Sequence, residues 1–183
     1  MKKNKIKTIA IIALMAALSF VSCMYLSIKV TDSIYIHFGN VFCLLTALML
    51  GGVEGGMAGA IGMGLADVLD GIHALSTPKT IICKMAMAIT VGVLANKVFK
   101  VNETNSKKGL FLSLLFGIIV NIIFEIGFGY IYYRFILGTV SSTFIVFFVS
   151  KIVSTGVTST VTLITTFLLY FPLYNRIKSY INS

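Results

Sequence analysis

LFLSLLFGIIVNIIFEIGFGYIYY, running from Leu110 to Tyr133, is continuous apolar sequence carrying one charge, Glu125. A helix crosses the hydrocarbon core of a bilayer with about 20 residues, so this stretch is long enough to span. Its polar residues do not alternate with apolar ones, which excludes a strand of a membrane β-barrel. Working outward, the same reading gives five more candidates: Thr8–Ser27, Asn40–Leu50, Met57–Leu69, Thr80–Val98 and Ser142–Leu173. The second and third are short and separated by GGVEGG. They read either as two short helices joined by a tight turn or as helices that borrow residues from the glycine stretch.

Composition agrees. Of 183 residues, 57% are hydrophobic and 11% charged, against roughly 45–50% and about 25% in a soluble domain. Mean hydropathy is +0.97. These values exclude a secreted disulfide scaffold, a free-standing DNA binder and a disordered tail. The expected fold class is an all-α integral membrane protein, a bundle of six transmembrane helices forming a single domain over residues 1–183.

Fifteen Lys and Arg face six Asp and Glu, a formal charge of +9. With the N-terminus inside, Lys2, Lys3, Lys5, Lys7, Lys97, Lys100, Lys107, Lys108, Arg176 and Lys178 fall on the cytoplasmic side. Lys29, Lys79 and Arg134 fall in outer loops, and Lys84 and Lys151 inside spans. The positive-inside rule therefore places both termini in the cytoplasm, with the spans in the cell membrane. This accounts for the basic excess without a nucleic-acid partner. MKKNKIK followed by TIAIIALMAALSFVSC also resembles a secretory leader ending at Cys23. Its apolar run is too long for a signal core and its Phe20-Val21 too bulky for a cleavage region, so it reads as a retained first helix. Cys23, Cys43 and Cys83 form no CxxC pair and read as small apolar filler. Ser76-Thr77-Pro78 reads as a helix start, and Pro172 as a position where the sixth helix kinks or stops.

Ionisable groups at membrane depth are expensive and mark functional sites. They are Asp67, Asp70, Lys84, Glu125 and Lys151. Asn121 and Glu125 share a helix face at i, i+4, and Lys151 lies in a polar run with Ser150, Ser154 and Thr155. Together they predict a polar pocket opening outward under the loop Ile28–Gly39, with His37 and Asn40 at its edge. The alternative is that Lys and Glu neutralise each other to fix helix register. Asp67 and Asp70, beside His73, read as groups that cap or hydrate the end of the third helix. Small residues on the third helix (Gly55, Gly59, Gly62) and the Ala13-x-x-x-Ala17 pair on the first allow close helix approach in lipid. No phosphate-binding loop, HExxH or GxSxG motif is present, and Asp67-x-x-Asp70 lacks the second acidic cluster of a prenyl-transfer site. No enzyme activity, metal or cofactor is expected.

Ile36-His37-Phe38-Gly39-Asn40-Val41, Leu50-Gly51-Gly52, and Gly59-Ala60-Ile61-Gly62-Met63-Gly64-Leu65-Ala66-Asp67 resemble the substrate-binding S-components of energy-coupling factor (ECF) transporters. Within that group they are similar to the branch with riboflavin, pyridoxine and hydroxymethylpyrimidine S-components. Thr77-Pro78-Lys79-Thr80 leading into Lys84 resembles its fourth-helix start. The resemblance implies capture of a water-soluble vitamin from outside, docking on a membrane T-component with two ATPase subunits, and toppling to release the vitamin inside. It also implies that Ala13 and Ala17 form the docking face. On the sixth helix the pattern departs, with Ser150-Lys151 and Ser154-Thr155 where relatives tend to carry Asn and Gln. The expected ligand is pyridoxine or a hydroxymethylpyrimidine first and riboflavin second. Lys84, Glu125, Lys151, Asn121, Asn40 and His37 would line the site, with Tyr130 or Tyr133 for ring stacking. The rivals are a membrane scaffold without a ligand and a solitary ion-coupled transporter.

Overall fold

The computed structural model describes residues 5–31, 34–71, 74–136, 138 and 141–182. Helix α1 (Lys5–Met24) leads into a short hairpin of β1 (Ile28–Thr31) and β2 (Ile34–Ile36). The pairing is antiparallel, with Ile28 opposite Ile36 and Lys29 opposite Tyr35. Five of these seven strand residues are β-branched, which suits a pleated surface, so the loop expected between the first two helices contains a strand pair.

Helices α2 (Gly39–Met49) and α3 (Gly52–Asp70) follow. The turn between them hinges on Gly51, whose φ of 139° is open only to glycine. Glycines of the GGVEGG stretch therefore begin the third helix rather than separating it from the second. Next come α4 (Thr77–Val93), running on through a π-turn at Leu94–Val98, and the short α5 (Val101–Thr104). Left-handed Lys100 and Asn105 bracket α5, with φ of 45° and 51°. Helix α6 (Lys107–Ile123) passes through a second π-turn, Phe124–Phe128, into α7 (Gly129–Ile131) and a third π-turn, Tyr132–Ile136.

Helix α8 (Ser141–Asn182) is 42 residues long. It does not stop at Pro172, where the sequence suggested an end, and at 1.5 Å per residue it extends roughly 63 Å. Among the described residues, four segments are long and apolar enough to cross a membrane: Lys5–Met24, Ala74–Val98, Lys107–Ile131 and Phe148–Ile177. Gly39–Met49 is a shorter apolar helix.

Packing centres on α3, which lies between α1 and α4. There is no Cβ at Gly92, so it sits against the backbone of Gly52, and α3 and α4 cross in near contact. Gly62 does the same against Ala16 and Ser19 of α1. Leu44, Leu45, Leu48, Met87, Val91, Leu110 and Leu114 form the main core, closed at one end by Tyr170. By contrast Leu14, Ile61, Leu65, Phe116, Ile123 and Leu168 point outward. Large apolar side chains all round the bundle are what a lipid-facing surface requires.

Candidate functional site

The buried charged groups of the spans gather at the hairpin end of the bundle. The π-turn of α6–α7 carries Glu125, and such turns often mark functional positions because they re-aim one side chain off the helical face. Glu125 accepts from Lys79 Nζ at 2.6 Å through Oε2 and from Lys84 Nζ at 3.1 Å through Oε1. Lys84 also donates to Asn121 Oδ1 at 3.1 Å. All four side chains are buried: Lys79 is 1% exposed, Lys84 4%, Asn121 2% and Glu125 7%. Two ammonium groups therefore flank one carboxylate in a dry setting, and the trio carries one net positive charge.

Neighbouring groups extend the cluster. Thr80, one turn before Lys84, donates to Asp67 Oδ2 at 2.5 Å and ties α3 to α4. Asp67 thus bonds to α4 next to the cluster, while Asp70 is exposed at the last turn of α3. Lys151 on α8 is half-buried and lies within electrostatic reach of Glu125, Lys79, Lys84 and Asp67. Towards the hairpin, Cys23 Sγ lies 3.7 Å from His37 Nδ1, and Ser19 donates to the Gly39 carbonyl at 3.2 Å. Asn40 is 3% exposed, and its Oδ1 has no hydrogen-bond partner. A buried amide oxygen without a donor is costly and fits a place where a ligand or water completes the bond.

Of the residues singled out in the sequence, Lys84, Glu125 and Asn121 come into direct contact, with Lys151 close by. His37 and Asn40 lie at the adjoining hairpin end. Tyr130 is 43% exposed and packs edge-on against Phe148 at 5.5 Å. The side chain of Tyr133 lies outside the described residues, as does His73.

Lys79 is a correction. Its place after Pro78 suggested an outer loop, yet it occupies the first turn of α4 and is among the most buried side chains described. The Ser-Thr-Pro start signal already placed it inside the helix. Tyr132 was also missed; it is 9% exposed and donates to the Leu75 carbonyl at 2.7 Å, closing the loop before α4 onto the π-turn after α7.

Chemically, the cluster offers two ammonium donors, one carboxylate, one carboxamide and an orphaned amide oxygen. The described residues include no group of three or more His, Cys, Asp or Glu able to hold a metal ion.

A family model described as "ECF-type riboflavin transporter, S component" matches residues 3–179. No curated protein and no solved structure matches the chain. Because the match runs over nearly the whole bundle, the chain belongs to the S components, the substrate-binding membrane subunits of ECF-type vitamin transporters.

Proposed function

We propose that this chain captures a small, water-soluble heteroaromatic vitamin or precursor at the Lys79–Lys84–Asn121–Glu125 cluster. The observation that carries the reading is the burial of three charges and an amide between α4 and α6. Ionisable side chains inside a membrane bundle are retained where they do work. A pyridoxine-like or hydroxymethylpyrimidine-like ligand ranks first. The cluster is closed and its members are tied to one another, so a single ring can exchange partners with Lys84 and Asn121 with little separation of the helices. Asn40 Oδ1 and Lys151 then supply further polar contacts from the hairpin side and from α8. Riboflavin ranks second, supported by the description of the matched family; its three fused rings need a wider opening between α4 and α6.

In this reading the bundle is one membrane domain with six spans, α2 and α3 adding to the four long segments, and both termini face the cytoplasm. The hairpin then covers the outer mouth of the site. Ala13 and Ala17 are exposed on α1, whereas Ala16 faces α3. The outward pair presents a flat, small-residue stripe on which a T-component helix can dock. ATPase subunits bound to that T-component would drive release on the cytoplasmic side.

The test is titration calorimetry of the purified chain with pyridoxine, hydroxymethylpyrimidine and riboflavin, repeated on Lys84→Ala and Glu125→Ala. One of the three ligands should bind the wild type and lose at least ten-fold in affinity with each variant. Wild-type affinity in both variants would move the site elsewhere.

A further inference from the structure

Helix α8 carries a second set of polar groups, apart from the charged cluster. Thr158, Ser159, Thr162 and Thr166 are 5%, 3%, 1% and 0% exposed, and Tyr170 continues the same face at 0%. The i, i+4 spacing of 158, 162, 166 and 170 keeps them in one line. The hydroxyls of Ser159, Thr162 and Thr166 have no hydrogen-bond partner.

Burial alone does not explain this, because a helical hydroxyl can turn back onto the carbonyl four residues earlier. Several hydroxyls elsewhere in the bundle do so, although that of Thr77 is also left without a partner. Thr46 donates to Phe42, Thr90 to Ala86 and Ser113 to Gly109, at 2.7, 2.9 and 2.8 Å. Thr160, on the exposed side of α8 itself, donates to Gly156 at 3.0 Å. Ser159, Thr162 and Thr166 make no such bond and are buried, and an unmatched hydroxyl in the protein interior is costly.

The line has polar groups at both ends. Lys151 stands at the hairpin end, within reach of the charged cluster. At the other end Tyr170 donates to Asn102 Oδ1, and Asn102 Nδ2 donates to Asn96 Oδ1 at 2.6 Å and to the Leu48 carbonyl at 3.1 Å. Asn96 and Asn102 in turn line a cavity of about 570 Å³ between the start of α3, the end of α4 and the end of α8. From Lys151 to Tyr170 the helix rises roughly 28 Å at 1.5 Å per residue, close to the ~30 Å of a hydrocarbon core.

We propose that this face of α8 binds a file of buried water, held by the hydroxyls of Ser159, Thr162 and Thr166, that joins the charged cluster near Lys151 to the Asn102 knot and the cavity beyond it. Buried water typically makes about three hydrogen bonds to groups left unsatisfied by the protein, and these hydroxyls are such groups. The file gives the cluster a supply of replacement hydrogen bonds from the end opposite the hairpin. It does not depend on which molecule the cluster binds.

A crystal structure of the whole chain in a lipidic phase, at a resolution that shows ordered water, tests this directly. Water density within about 3 Å of the Ser159, Thr162 and Thr166 hydroxyls is expected. Finding those hydroxyls bonded to the carbonyls of Thr155, Thr158 and Thr162, with no water between α8 and its neighbours, overturns the proposal. In solution, the isosteric pair Thr162→Val with Thr166→Val should lower Tm by several degrees, because the expelled water leaves its other partners unpaired. Thr160→Val serves as the control and should leave Tm in place. An unchanged or raised Tm in the double variant means the seam is dry and refutes the proposal.

Discussion

Replacing Glu125 by Gln keeps the shape of the side chain and removes the one negative charge between Lys79 and Lys84. The Lys79 contact at 2.6 Å and the Lys84 contact at 3.1 Å lose their ionic character together. Two ammonium groups, 1% and 4% exposed, then lose the carboxylate that both of them contact. Removing one partner of a buried ion pair costs about 3–5 kcal/mol, and for a chain of this size each kcal/mol lowers Tm by about 2–4 °C. Glu125→Gln should therefore lower Tm by roughly 6–20 °C.

Charge balance also fixes an order. Lys84→Met leaves Lys79 and Glu125 as a neutral pair and forfeits the Asn121 contact, a loss of about 1–2 kcal/mol. Thermal unfolding can be followed with a thiol-reactive fluorophore, because Cys43 and Cys83 are free and fully buried until the bundle opens. The reasoning is refuted if Lys84→Met is as costly as Glu125→Gln, or if Glu125→Gln leaves Tm unmoved.

Three further outcomes follow from the packing. Gly62→Leu places a side chain against the Ala16 carbonyl and within 2.6 Å of Ser19 Cβ, so α1 and α3 should separate and the yield of monodisperse protein on size exclusion should collapse. Asn102→Ala removes the donor to Leu48 and Asn96 and the acceptor for Tyr170; a loss of about 1–3 kcal/mol should appear as a lower Tm with ligand affinity unchanged. Ala13→Trp, on an exposed face, should keep ligand affinity and Tm but abolish co-purification with the T-component.

The long apolar runs made most of the helices legible. Lys107–Ile123 and its π-turns occupy the ground of the Leu110–Tyr133 stretch, and Lys5–Met24 that of Thr8–Ser27, because lipid imposes a simple length and polarity requirement. Glu125 and Lys84 were legible for the same reason, since a charge in such a run stands out, and Asn121 because it shares a helix face with Glu125 at i, i+4. Charge placement puts Lys79 in an outer loop, although the Ser-Thr-Pro start signal puts it in the first turn of α4; its burial depends on the contact with Glu125, 46 residues away. The strand pair escaped because seven residues, five of them β-branched, between two spans carry no length signal. Continuation of α8 beyond Pro172 depends on tertiary support, including Tyr174, whose hydroxyl donates to the Asn102 carbonyl at 3.3 Å. Local propensity does not contain that contact.

The central claim, a vitamin bound at the buried cluster, is tested most directly by mass spectrometry of small molecules that co-purify with the detergent-solubilised chain. A B6 vitamer, a pyrimidine or a flavin at near-stoichiometric occupancy, lost on Lys84→Ala, is the predicted result. A chain that emerges empty, and whose Tm ignores all three ligand classes, would contradict the account and leave the charges with helix register as their only role.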